Sequence, residues 1–283
     1  MSSLRDIRRQ LRSIENIKKI TDAMERVAAA RLRKAQAKAE LSRPYVVKMK
    51  EVLENLADTQ ATHPLFEQRA VKKIALVVMS ADRGLCGSFN TNIINAAETF
   101  LKKYQPEQVD LILVGRKAIE HFRRKKWKVR REVTKWTDKV PFHEIHEFSD
   151  FLVHGFIKHE FDEVWLIYTH YISIMRRKII VEKFLNIGKP RLDQVKMHAN
   201  FIFEPDPDEI LAEALPRFCV TRIQTILYES YAAELAARIL AMQTASKNSE
   251  EMITHLTLVK NKMRQRDITR EMIEISSGAE GLK

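Results

Sequence analysis

The sequence predicts an α/β protein in which two long terminal helices pair as an antiparallel coiled coil and a small α/β domain lies between them. Three features of the chain lead there. Glycine is absent from residues 1–83 and again from 189–277. Because glycine costs about 1 kcal/mol in a helix interior relative to alanine, such tracts, rich in Ala, Leu, Arg, Glu, Met and Lys, can be helical throughout. Both ends carry apolar residues at steps of three and four, whereas the middle holds short apolar runs separated by helix-like stretches.

In the first segment the apolar positions are Leu4, Ile7, Leu11, Ile14, Ile17, Ile20, Met24, Val27, Ala28 and Leu32, the narrow stripe of a coiled-coil seam. It continues through VAAARLRKAQAKAE, whose small side chains permit close helix approach, to Pro44. A proline inside a helix removes a hydrogen bond and clashes with the preceding turn, so a kink is expected near Arg43, with helix resuming to about Ala57.

The middle contains IALVVMS (74–80), VDLILVG (109–115) and EVWLIYT (163–169), each of strand length, with helical stretches over 91–103, 116–126 and 143–158. Strands alternating with helices predict a Rossmann-like α/β sandwich with a mostly parallel sheet. Further strands are expected over 174–184 and 128–133.

The last segment opens with Asp206, Pro207, Asp208 and Glu209, which supply an N-cap acceptor, a proline at the first helical position and a capping-box glutamate. Apolar positions from Ile210 through Leu215, Ile223, Leu227, Leu235, Ile239 and Leu256 to Met263 extend the stripe, with a distortion expected at Pro216 and no stop before Ser276. About 70 residues of helix at 1.5 Å each extend roughly 105 Å, too far for a compact domain to bury. The simplest partner for each stripe is the other, with Ile14, Ile17, Met24 and Val27 facing the last helix; homodimerisation through the seam is the alternative. The expected divisions are therefore residues 1–57, 70–190 and 206–283.

The 283 residues carry a formal charge of +12 and a pI near 9.6, which calls for an acidic partner: nucleic acid, anionic lipid or an acidic protein surface. The excess lies at the amino end, in Arg5, Arg8, Arg9, Arg12, Lys18, Lys19, Arg31, Arg33, Lys34 and Lys38; the plain alternative is a solvated helical face. No apolar run reaches the roughly 18 to 20 residues of a membrane span, and MSSLRDIRRQ lacks the apolar stretch of a secretory signal. Cys86 and Cys219 are too few for a disulfide framework and are expected to be free thiols of a soluble, unexported chain.

The stretch SADRGLCGSFN follows a strand but has neither GxxxxGK[ST] nor GxGxxG spacing, and HExxH, CxxC and nucleophile-elbow motifs are absent. Asp82, Arg83 and Cys86 could be drawn as a nucleophilic site, but a turn with a packing cysteine is the better reading. His143 and His146 stand three apart with no third ligand. Trp127 and Trp136 lie among basic residues, as base-stacking aromatics or, more ordinarily, as sheet-edge side chains. The middle reads as a scaffold with no catalytic residue, cofactor or metal, and no nucleotide turnover is expected of it.

The segments KKITDAMERVAAARLRKAQ, DRGLCGSFN and NKMRQRDITREMIEISSGAEGL together resemble, in the same order and over nearly the whole chain, the gamma subunit of F-type ATP synthases. EPDPDEIL and SRPY are similar too. The resemblance implies an antiparallel coiled coil standing inside the ring of alternating alpha and beta subunits. It also implies an α/β domain beside the epsilon subunit and the membrane c-ring, with nucleotide sites on other subunits. One copy would turn in each complex, coupling ion flow to ATP synthesis or hydrolysis. By the same resemblance Met24, Arg26, Arg264, Gln265, Thr269 and Glu271 would meet the alpha and beta subunits, as would Arg238 with its neighbour Glu234. Phe203 and Glu204 would meet epsilon and the c-ring at the foot. Asp22, Arg26, Lys260 and the Arg266-Asp267 pair depart from the family's usual residues, so the charge display towards the hexamer differs. The regulatory cysteine insertion of chloroplast homologues is missing. A start without a transit peptide points to a bacterial complex on the cytoplasmic face of the inner membrane. The rival is a basic coiled-coil protein that binds nucleic acid, with steep loss of affinity in salt.

Overall fold

A computed structural model of the chain describes residues 4–57, 63–137, 139–187 and 206–280. Helix α1 spans Leu4–Ala57 and helix α5 spans Pro207–Glu280, 54 and 74 residues respectively. Both are helical through their internal prolines, Pro44 and Pro216. Helix α5 starts at Pro207, the expected first helical position, with the Asp206 carbonyl accepting from the Ile210 N–H at 3.1 Å. By compactness the chain forms two units, Met1–Ala28 with Ile239–Lys283 and Ala29–Arg238.

Within Ala29–Arg238 the strands are β1 (Ile74–Met79), β2 (Val109–Val114), β3 (Lys128–Val133), β4 (Glu163–Tyr171) and β5 (Arg177–Leu185), in the sheet order β3-β2-β1-β4-β5. All pairs are parallel except β4 with β5. Strands β1 and β2 are buried at every residue, which is why they read as unbroken apolar runs, whereas the outer strands β3 and β5 have few fully buried residues. Helices α2 (Phe89–Leu101), α3 (Arg116–Phe122) and α4 (Phe142–Ile157) make the crossovers.

Each sheet face has its own core. On one, Val77, Ile112 and Leu166 pack with Phe148, Phe156 and Phe161 and with Leu211, Leu215, Cys219, Ile223 and Ile226 of α5. On the other, Leu76, Val78 and Leu111 pack with Ile93 of α2 and Ile119 and Phe122 of α3, joined by Ala233 and Ala237. Each such large side chain stabilises by about 1.5–3 kcal/mol when fully buried, so the first half of α5 is a layer of this unit. Among the middle elements, two predicted boundaries shift most. Strand β5 starts at Arg177 because Ile172 and Ser173 bond to Arg176 and make the hairpin turn there. Helix α3 stops at Phe122, before the basic run Arg123–Lys126.

In the other unit, three side-chain pairs join α1 to α5. Lys18 Nζ lies 3.2 Å from Glu250 Oε1, Ser246 donates to Asp22, and Gln243 Nε2 donates to Glu25 Oε1 at 2.9 Å. Each step up one helix is a step down the other, so the pairing is antiparallel. The shielded residues of α1 follow a heptad: Ile7, Leu11, Ile14, Lys18, Thr21, Glu25 and Ala28.

That seam corrects part of the sequence reading. Ile17, Ile20 and Val27 are 48%, 58% and 52% exposed, so Ile17 and Val27 do not face the last helix, whereas Ile14 and Met24 are partly shielded. The chain offers two stripes one residue apart, about 100° around the helix. The one with polar residues in its middle wins because those residues find partners: Lys18 reaches Glu250, and the Thr21 hydroxyl bonds back to the Lys18 carbonyl at 2.9 Å. Facing them, Ser246 and Ser249 occupy the α5 seam with side chains small enough for close approach.

Candidate functional site

The reversal of strand order between β1 and β4 is where doubly wound sheets hold ligands. The turn after β1, residues 80–88, is closed by its own side chains. Asp82 accepts the Arg116 N–H through Oδ1 at 3.0 Å and the Lys135 N–H through Oδ2 at 2.7 Å, so both carboxylate oxygens are engaged. Ser80 Oγ donates to the Val114 carbonyl at 3.1 Å and accepts the Ala118 N–H at 2.9 Å. Asn90 accepts the Ala81 N–H at 2.9 Å and points its amide at Cys86 Sγ, 3.2 Å away.

From α5, Arg238 donates to the Gly84 carbonyl at 3.2 Å and pairs with Glu234 at 2.7 Å, the two side chains being 12% and 13% exposed. Burial pushes the Glu234 carboxyl above the ordinary range even with Arg238 drawing it down. The Cys86 thiol is likewise pushed up by burial, the opposite of what a nucleophile needs. Cys219, inside the core, is pushed up to about 12. The turn is a braced structural element.

The other chemical suggestions of the sequence resolve similarly. His146 pairs with Asp150 at 2.9 Å, and among the described residues no group of three metal-ligating side chains forms. Trp136 is buried with its ring 4.5 Å from that of Phe148, edge to face, and Trp127 packs against the second core. Neither indole is a free stacking platform. No helix among the described residues is long and apolar enough to cross a membrane.

The residues singled out for partner contact are dispersed rather than gathered into a pocket. Arg26, Arg264, Gln265, Thr269 and Glu271 are exposed, and Met24 is half-buried. The Thr269 hydroxyl is spent on the Gln265 carbonyl, 2.9 Å away in its own helix. Arg238 differs from these, since its guanidinium is engaged inside the chain. Phe203 and Glu204 lie outside the described residues. Of the departures, Asp22 is bonded to Ser246, Lys260 and Asp267 are half-buried, and Arg266 is exposed. Sequence reasoning missed the interhelical roles of Lys18 and Glu25; aligning the helices in opposite directions would have placed them opposite Glu250 and Gln243.

Comparison with known proteins adds relatives to this geometry. The family described as ATP synthase matches residues 3–282. The ATP synthase gamma chain of Protochlamydia amoebophila is 50% identical over 285 residues, covering 100% of both chains. That of Moorella thermoacetica is 40% identical, again over the full length of both. Among solved structures, the Tetrahymena thermophila mitochondrial ATP synthase central stalk and c-ring includes a chain similar at TM-score 0.61 and 24% identity, over 80% of this chain and 99% of that one. The Euglena gracilis mitochondrial ATP synthase includes one at TM-score 0.70 and 17% identity, over 99% and 94%. These two structures bear on the fold.

Proposed function

The chain belongs to the ATP synthase gamma-chain family, and we propose from that membership that it is the central-stalk rotor, transmitting torque between the membrane c-ring and the hexamer of alpha and beta subunits. Ion flow is thereby coupled to ATP synthesis or hydrolysis, with the catalytic sites on other subunits. One copy serves each complex, epsilon and the c-ring are met through Phe203 and Glu204 at the foot, and the complex sits on the cytoplasmic face of a bacterial inner membrane. The three divisions 1–57, 70–190 and 206–283 are the working parts.

The antiparallel ladder of Lys18, Asp22 and Glu25 with Glu250, Ser246 and Gln243 is the observation that carries the reading. It joins the two ends of the chain into one object, as a shaft turning inside a ring requires. Arg8, Arg12, Lys19 and Arg26 pair with no carboxylate among the described residues, which supports an acidic partner along this face. Met24, Arg26, Arg264, Gln265, Thr269 and Glu271 are the contacts to the hexamer. Arg238 contributes through the turn it braces. The nucleic-acid alternative has nothing beyond net charge in its favour.

A shaft must push its partners without being arrested by any one of them, and exposed charge pairs of about 0–1 kcal/mol each meet both needs. Arg264→Ala with Gln265→Ala should therefore leave a complex that assembles with its full set of subunits while ATP synthesis and ATP-driven pumping fall severalfold. Arg26→Met should couple normally. Wild-type synthesis and pumping in the double variant would overturn the assignment of Arg264 and Gln265 as transmission contacts.

A further inference from the structure

A cavity of about 210 Å³ lies at the carboxy end of β4, beside the first turn of α2, and is lined in part by Ser88, Asn92, Thr169, Arg176 and Arg177. It borders the end of the braced turn at Ser88. Nucleotide pockets measure roughly 300–1,000 Å³, so this one cannot enclose a nucleotide, although a tetrahedral oxyanion fits easily.

Its polar lining is rich in donors, some of them without an acceptor among the described residues. Thr169 is 4% exposed, and its side chain lines the cavity with its hydroxyl bonded to nothing among the described residues. Neither Arg176 nor Arg177 is paired with a carboxylate among them; Arg177 spends one nitrogen on the Ile174 carbonyl at 2.7 Å, and the Arg176 backbone N–H bonds to Ser173 Oγ at 3.1 Å. Ser88 is the N-cap of α2 but makes no capping bond, its hydroxyl accepting instead from the Asn92 amide at 3.2 Å. The Phe89 and Asn92 N–H groups are satisfied by the carbonyls of Cys86 and Ser88, while those of Asn90 and Thr91 have no acceptor among the described residues. No acidic side chain lines the space.

Helix N–H groups, a buried threonine and two arginines, Arg177 partly buried and Arg176 exposed, border one small concavity and together suit a doubly charged oxyanion. The crevice beside the strand-order reversal is also where a doubly wound sheet presents such groups. We propose that this cavity binds a phosphate-sized oxyanion, either orthophosphate or the phosphoryl end of a larger molecule, held by Arg176, Arg177, Thr169 and the first turn of α2. The proposal goes beyond the rotary role and does not depend on it.

Calorimetric titration of the purified full-length chain with orthophosphate at low chloride tests it. Saturable binding of one phosphate per chain is expected. Arg176→Gln with Arg177→Gln should weaken it by about tenfold or more, and Thr169→Val by several-fold, with unchanged melting temperatures. Lys102→Gln with Lys103→Gln, at the opposite end of α2, should leave it unchanged. ATP that competes with orthophosphate identifies a carried phosphoryl group as a ligand, and ATP that does not identifies the free anion. Absence of saturable binding overturns the proposal, as does an equal loss in the Lys102/Lys103 variant, which would mean diffuse attraction to a basic surface.

Discussion

Replacing Arg238 with methionine isolates the brace between α5 and the turn after β1. The substitution keeps most of the side chain's length but removes the charge paired with Glu234 and the donor to the Gly84 carbonyl. Stripping one partner from a fully buried ion pair costs about 3–5 kcal/mol. Here the two side chains keep 12% and 13% exposure, and so much access to water brings the expected loss to about 2–4 kcal/mol. For a domain of this size each kcal/mol moves the melting temperature by about 2–4 °C, which places the drop at roughly 4–16 °C.

The sign of its pH dependence follows from Glu234. Its folded-state pKa is raised, by burial first, with Arg238 opposing the rise. A raised group contributes stability that is fully present below its unfolded value and lost as pH rises through the folded one. Removing Arg238 raises the folded value further, so the penalty should be larger at pH 8 than at pH 5, shrinking as falling pH protonates the lone carboxyl. All three tryptophans, Trp127, Trp136 and Trp165, lie in the Ala29–Arg238 unit, so their fluorescence during heating reports this unit alone. A drop under about 1 °C at pH 8, or an equal drop at pH 5 and pH 8, would refute the account of the brace.

Two further outcomes follow from packing. Gly115 has φ of 92°, and a β-carbon there would stand 2.1 Å from the Ser80 carbonyl oxygen. Ser80 is itself tied to Val114 and Ala118, so Gly115→Ala should cost more than about 4 kcal/mol, seen as a large fall in melting temperature or as insoluble protein; a near-normal melt would mean the turn is built differently. On α1, Val27→Ser should stay within about 0.5 kcal/mol of wild type, whereas Ile7→Ala, at 3% exposure within the seam, should cost about 2–5 kcal/mol. Equal losses in thermal melts followed by circular dichroism would contradict the heptad seam.

Much of the architecture is local in origin and was legible before any coordinates. The uninterrupted helices follow from tracts without glycine. The proline and acidic residues at 206–209 place the start of α5, and β1 and β2 announce themselves because strands buried on both faces have no polar side. The three segments that resemble a known family in the same order likewise lie in the chain as written. The proposal that Arg264, Gln265, Thr269 and Glu271 are contacts comes from that resemblance, and helical spacing adds only that they stand on an exposed surface.

What needed the tertiary structure is everything decided by which groups meet. Two stripes one residue apart compete on α1, and only the opposing Gln243, Ser246 and Glu250 tip the choice towards the one containing Lys18, Thr21 and Glu25. The brace of Glu234 and Arg238 on Gly84 joins residues about 150 positions apart, a distance no local pattern spans. The cavity of Thr169, Arg176 and Arg177 depends on the hairpin turn at 172–176 arriving beside α2. Sequence alone determined which segments form helices and strands, because propensity and periodicity act over a few residues; the structure decided register, bracing and the cavity, because those energies exist only between segments the fold brings together.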